Sequence, residues 1–244
     1  MLDLVALGSV ADVVALGYNI RILVCQGIAR MRAGRLRPGI GAILQQAGKD
    51  SRNLVSQDLG FTVGPRLNAA GRLEDISTGI ECLLATDAAR ARTLAEELER
   101  INSARKDIEQ SMQSQALRAL KNIKLDPGSD PEGLVLFDES WHEGVVGLVA
   151  SRIKEKLGLP VLVLAPGDDG PLTGSARSIP EAHIRAVRAK IDARDPGLIE
   201  RFGGHAMAAG LSIQPQQLDA LRTAFAREVG RVLADTPPDN TLLT

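Results

Sequence analysis

With 29 Lys and Arg against 30 Asp and Glu in 244 residues, the chain carries a net charge of -1, so any nucleic-acid contact must be a local basic patch rather than a global field. The length allows one or two domains, and four Phe, one Tyr and one Trp leave the core to aliphatic side chains. No apolar run reaches the roughly 18 residues of a membrane span, no basic start with a cleavage site opens the chain, and Cys25 and Cys82 stand without a CxxC. These features give no support to a membrane-spanning helix, a signal peptide or a zinc site, and they predict a soluble protein of a reducing cytoplasm.

Leu2 to Leu7 reads as a short apolar strand. It starts abruptly at Met1, as if the chain were the downstream part of something longer. In Gly8-Ser9-Val10-Ala11-Asp12-Val13-Val14 one carboxylate stands among apolar residues. Burying it alone is costly, so Asp12 needs a helix N-terminus, an arginine or a metal ion as partner, and composition favours the cap. Asn19 to Arg32 and Ile40 to Gly48 read as amphipathic helices, with Cys25 and Cys82 in apolar helical surroundings that suit small core residues.

The stretch from Phe61 to Leu73 sets Arg66, Asn68 and Arg72 in a small-residue frame that lets backbone approach an anion closely. Equally, the two arginines tie loops together through carbonyls or through Glu74 and Asp75. Ser77 to Leu84 is a short helix. From Asp87, with Thr86 and Asp87 as its start, a long helix runs to about Asn122. Leu94, Leu98, Ile101, Ile108, Met112, Leu117 and Leu120 recur at helical spacing, and Glu96 to Arg100 forms an i,i+4 pair. At about 1.5 Å per residue it spans roughly 50 Å, the length of a strut between two units. It ends in the Pro- and Gly-containing stretch from Leu125 to Pro131.

Beyond it the pattern alternates. Leu134 to Phe137 is a strand, Val145 to Leu157 a helix and Pro160 to Leu164 a second strand, a βαβ unit. Gly167-Asp168-Asp169-Gly170 is a hairpin-type turn before the strand Leu172 to Ser178. His183 to Ala193 is helical, Ala206 to Ile213 a small-residue strand, Gln216 to Leu233 a last amphipathic helix, and Asp235 to Thr244 a tail or linker.

Convergent polar groups concentrate in this second part. Strand alternation puts Ser175 and Arg177 on one face. Gly203, Gly204 and His205 have the composition of an anion nest, and together these residues suit a phosphate. Trp141-His142-Glu143-Gly144, at a strand-to-helix turn, adds a stacking or phosphate-facing contact, or else Trp141 covers the core edge. A nucleophilic triad finds no support, because His142, His183 and His205 lack a serine or cysteine elbow.

Five ordered motifs carry a resemblance. They are Gly8 to Val14, Gly64 to Arg72, Trp141 to Gly147, Gly174 to Ser178 and Phe202 to Gly210. The chain resembles the RecJ family of the DHH/DHHA1 phosphoesterase superfamily, single-stranded-DNA-specific 5′ to 3′ exonucleases. The resemblance implies an α/β protein in three parts and a tail: the C-terminal part of a DHH domain over 1–84, a connecting helix over 85–125, a DHHA1 domain with a sheet core flanked by helices over 132–234, and a tail over 235–244. It implies that Asp12 belongs to a two-metal Mn2+ or Mg2+ site. It also implies that Ser175, Arg177 and one of Arg66 or Arg72 anchor the 5′ phosphate of single-stranded DNA, with Asn68, His142, Gly203, Gly204 and His205 along the cleft.

The family's first aspartate motifs and its Asp-His-His motif are absent from this sequence, as is its OB-fold. Asp12 alone cannot hold two metals, so the resemblance implies an exonuclease of DNA repair and recombination, with repair proteins as partners, whose activity this segment alone lacks. Two departures stand out: Ala15 where the family usually has proline, and Glu143 where it often has glutamine. The alternatives are another DHH/DHHA1 phosphoesterase acting on oligonucleotides or nucleotides, and a non-catalytic nucleic-acid-binding module.

Overall fold

The structure, a computed structural model, describes residues 1–122, 132–167 and 170–235. The stretch 125–131, the middle of the 167–170 turn and the tail beyond 235 lie outside the described residues. The chain divides into two compact units, Met1–Asp107 and Ile108–Thr244.

The first unit is helical: α1 (Leu2–Ala11), α2 (Tyr18–Arg32), α3 (Pro38–Gln46), the short α4 (Ser56–Asp58), a π-helical turn (Leu59–Val63), α5 (Gly64–Leu73), α6 (Ser77–Leu84) and the first part of α7 (Ala88–Asn122). The expected strand at Leu2 to Leu7 is instead the start of α1. Periodicity cannot separate a short apolar run into strand or helix. Packing decides here, because Asp3, Ala6 and Leu7 are buried along one helical face. α2 fits against it through Gly27, where a Cβ would stand 2.5 Å from the Leu2 carbonyl oxygen and from Ala6 Cβ.

Asp87 caps α7, its carboxylate accepting the Arg90 N–H at 2.7 Å. The first half of α7 packs into the first unit: Ala91, Leu94, Ala95, Leu98 and Ile101 are buried in its core with Leu7, Met31, Ile43 and Leu59. The anticipated pairing of Glu96 with Arg100 is replaced by Arg100 bonded to Glu97 and Glu74. Cys82 is buried, and burial pushes its thiol up to about 11, whereas Cys25 is exposed and not the core residue anticipated.

The second unit holds a five-stranded sheet in the order β1-β2-β3-β5-β4, built from Leu134–Phe137, Val161–Pro166, Leu172–Arg177, Ala208–Ile213 and Arg201–Gly204. β1 and β2 run parallel through the crossover helix α8 (Val146–Leu157), and the remaining pairs are antiparallel. Leu162, Leu164, Ala176, Leu211 and Ile213 form one core with α9 (Ile184–Arg194) and α10 (Leu218–Asp235) on one side of the sheet. α8 packs on the other side, against β2 and β3. The last part of α7 joins this unit through buried Met112 and Ala116. Gln115 Oε1 there accepts the Trp141 indole N–H at 2.7 Å, so Trp141, 6% exposed, covers the core edge.

In the first unit Asp58 accepts the Val55 N–H at 2.9 Å and pairs with Lys49 at 3.0 Å. The Val55 N–H above all, opposed by burial and helped by the Lys49 ammonium, holds its carboxyl below the ordinary range. The unfolded carboxyl titrates near about 3.9. The contribution is therefore complete above about pH 4 and is lost as pH falls through the lower native value. Urea unfolding from pH 7 to pH 3 is expected to show Asp58→Asn about 1 kcal/mol less stable than the parent at pH 7, with the gap closing in acid.

Candidate functional site

Thr173, Ser175 and Arg177 alternate along β3 on the side of the sheet that meets α8, while Leu172, Gly174 and Ala176 point into the α9/α10 core. The Arg177 guanidinium lies across this surface. Its Nε donates to Ser151 Oγ at 3.2 Å, and Nη1 donates to Ser175 Oγ at 2.6 Å and to the Ala176 carbonyl at 2.8 Å. Ser151 is itself fixed by donating to the Gly147 carbonyl at 3.0 Å. Two hydroxyls and a carbonyl thus orient the fork in advance, which limits the side-chain entropy lost on binding.

Gly147 makes this possible. A Cβ at that position would stand 2.9 Å from Arg177 Nη2 and 3.2 Å from Ser175 Oγ. The first turn of α8 therefore lies directly against the guanidinium, and it begins at Val145 without a side-chain cap. A helix start of this kind presents amide N–H groups and the positive end of the helix dipole, and both favour an anion. His142, exposed in the loop before α8, accepts the Gly144 N–H on Nδ1 at 3.0 Å. With Nδ1 occupied as an acceptor, Nε2 is left as the ring's donor for a ligand.

Strand register extends the surface. Ser175 pairs with Gly210, and Gly210 with Gly203, so one row crosses three strands on the same face. Gly210 and Gly203 are exposed. The adjacent glycines 203 and 204 have different causes. Gly204, at φ +154°, would place a Cβ 2.4 Å from Ala209 Cα, so its own hairpin demands glycine. Around a Cβ at Gly203 nothing lies within 4 Å. Nothing among the described residues requires glycine there, and in a strand glycine is unfavourable by about 0.5–1 kcal/mol, so the open space is suited to a ligand. The anticipated nest at 203–205 is not formed. The His205 N–H is taken by the Ala208 carbonyl at 2.8 Å in closing the hairpin, and the imidazole is exposed.

The remaining sequence candidates sit in the first unit. Arg66 is half-buried, its Nε paired with Glu99 of α7 and Nη1 donating to the Thr62 carbonyl at 2.8 Å. It is a structural tie, though to Glu99 rather than the anticipated Glu74 or Asp75. Asn68 and Arg72 lie one turn apart on the exposed face of α5. Asp12 is not a buried carboxylate and caps no helix N-terminus. It is exposed at the C-terminal end of α1. Among the described residues no group of three or more His, Cys, Asp or Glu is placed to hold a metal ion, so the residues present do not fit a two-metal site. Sequence reasoning missed Ser151, whose only signal is its i+4 spacing from Gly147, and it held Gly147 and Gly210 only as members of motifs: helix packing sets the first against Arg177 and strand register sets the second beside Ser175.

The DHHA1 domain profile matches residues 130–231, the sheet with its flanking helices. Around this domain the likeness extends along almost the whole chain. It is 50% identical over 233 residues to the single-stranded-DNA-specific exonuclease RecJ of Dickeya dadantii, covering 96% of this chain and 40% of that protein. It is 47% identical to RecJ of Escherichia coli, covering 97% of this chain and 43% of that protein. The chain therefore spans about two fifths of the length of these relatives. The Mg2+ complex of Thermus thermophilus RecJ superposes with a TM-score of 0.77 at 34% identity, covering 97% of this chain and 34% of that one. A manganese-bound exonuclease RecJ gives 0.72 at 34% identity, covering 97% and 55%.

Gly203 and Gly204 differ in what the fold requires of them. Gly203→Ala is expected to leave the urea midpoint unchanged or slightly raised, and Gly204→Ala to lower stability by about 2 kcal/mol or more. Paired equilibrium unfolding curves of the two variants check this.

Proposed function

We propose that this chain is part of a metal-dependent exonuclease that hydrolyses single-stranded DNA from its 5′ end in DNA repair and recombination, and that its DHHA1 domain anchors the 5′ phosphate. The observation that carries the reading is the Arg177 fork, oriented by Ser151 and Ser175 against the uncapped first turn of α8. Arg177 supplies charge-assisted hydrogen bonds, the Ser175 hydroxyl and His142 Nε2 add donors, and the Gly203–Gly210 floor lets the strand approach without a side chain in the way. Such an anchor selects an end, because an internal phosphodiester has only two unesterified oxygens where a terminal phosphate has three. The similarity to RecJ proteins supports the substrate class, and the Mg2+ and Mn2+ complexes of RecJ support divalent-metal chemistry in the longer protein.

In this reading Asp12 contributes one ligand to a metal site of the longer protein, Asn68 and Arg72 on the exposed face of α5 suit a phosphate contact of the first unit, and Arg66 holds α5 to α7. No hydrolytic step is assigned to this chain by itself. A metal-dependent release of nucleotides by the purified chain would contradict that. No helix of the described residues is long and apolar enough to cross a membrane, and we place the protein in the cytoplasm with DNA-repair proteins as partners.

Titration of the chain with 5′-phosphorylated and 5′-hydroxyl single strands at two salt concentrations tests the anchor. The phosphorylated strand is expected to bind about tenfold tighter, weakening with salt, and Arg177→Ala is expected to remove that advantage. Equal binding of both ends by the parent chain would refute it.

A further inference from the structure

One row beyond Ser175–Gly210–Gly203 on the same face lies a second row, Thr173–Ser212–Arg201. Two residues along a strand are about 6.7 Å. This row lines a pocket of about 210 Å³ completed by Glu143, Gly167, Pro171 and Glu200. The pocket thus begins about one nucleoside's reach from the Arg177 anchor. Its chemistry differs from the anchor's. Glu143 and Glu200 bring two carboxylates against one guanidinium, Arg201, so the pocket is net negative and repels a second phosphate. Thr173 and Ser212 add hydroxyls that both donate and accept. Gln214 already donates to Glu200, which fixes that carboxylate in place. Among the described residues the side chains of Glu143 and Arg201 have no hydrogen-bond or ion-pair partner.

A lining rich in acceptors, with one guanidinium and two hydroxyls, fits a neutral group that carries both donors and acceptors. We infer that this pocket reads the base of the 5′-terminal nucleotide and disfavours thymine there, an inference that rests on the 5′-phosphate anchor proposed above. Ionised carboxylates only accept hydrogen bonds. Cytosine, adenine and guanine each offer an exocyclic amino group to them, and Arg201 suits a ring nitrogen or carbonyl of the same base. Thymine has no exocyclic amino group, and its one edge donor, N3–H, is flanked on both sides by carbonyl oxygens that the carboxylates repel. Glu143 is the residue on which discrimination turns, because a glutamine of the same length both donates and accepts and would receive any of the four bases.

The test titrates the chain with four 5′-phosphorylated single strands that differ only in the 5′-terminal base. The A, C and G strands are expected to bind at least about fivefold tighter than the T strand, and Glu143→Gln to reduce that ratio below about twofold by strengthening the T strand. Arg177→Ala is expected to weaken all four alike. If the four bases bind equally while Arg177→Ala still weakens them, the base-reading pocket is wrong and the phosphate anchor stands. If Arg177→Ala changes nothing, the anchor and the inference resting on it both fall. A thymine penalty that survives both Glu143→Gln and Glu200→Gln also overturns the inference. Circular dichroism of each variant, matched to the parent, shows that the fold is retained.

Discussion

Everything in the candidate site depends on the register in which β5 lies between β3 and β4. Because side chains alternate with a period of two, this register turns Ser175, Arg177, Gly210 and Gly203 to one face and Ala176, Ala209 and Leu211 to the α9/α10 core. A slip of one residue would drive the guanidinium into an apolar interior and expose the core row. The buried face is close-packed and allows no such slip, so the hydrophobic side of the sheet fixes the geometry of its polar side. The site is stabilised from behind.

The same logic places α8. Its apolar stripe, Val146, Val149, Ala150 and Ile153, is buried, and that burial brings its uncapped first turn to Arg177. A helix start that is unfavourable in isolation becomes useful beside an anion site, where its amides and dipole add to the arginine's charge. Near-neutral overall composition agrees with this design. In the proposed reading, attraction for a polyanion in the second unit is concentrated in one oriented arginine and a helix end, and the Glu143 and Glu200 carboxylates of the neighbouring pocket limit how far that attraction spreads.

In the first unit the recurring question is what an arginine among small residues is for. Arg66 and Arg72 look alike in sequence, six positions apart. α7 separates them, because burying Leu94, Leu98 and Ile101 in the helical core also delivers Glu99 to Arg66, whose guanidinium is then held between a carboxylate and the Thr62 carbonyl. Arg72 stays on the exposed face of α5. The long helix therefore does more than connect: its apolar stripe serves the core of each unit in turn.

By itself the sequence determined β1, β2, β3 and β5 and the helices around them after residue 132, though not β4, the cap at Asp87, the shared face of Ser175 and Arg177, and, through ordered motifs, the likeness to DHHA1 proteins. These are local properties, set by side-chain period, capping chemistry and residue identity. The sequence did not decide whether Leu2 to Leu7 was strand or helix, that Arg66 would pair with Glu99, or why two adjacent glycines differ. Nor did it set Ser151 and Gly210 beside Arg177. Those outcomes depend on what lies across the fold from each residue, a neighbouring helix for α1, Glu99 for Arg66, open space for Gly203 and the Ala209 backbone for Gly204. Only tertiary packing brings such partners together.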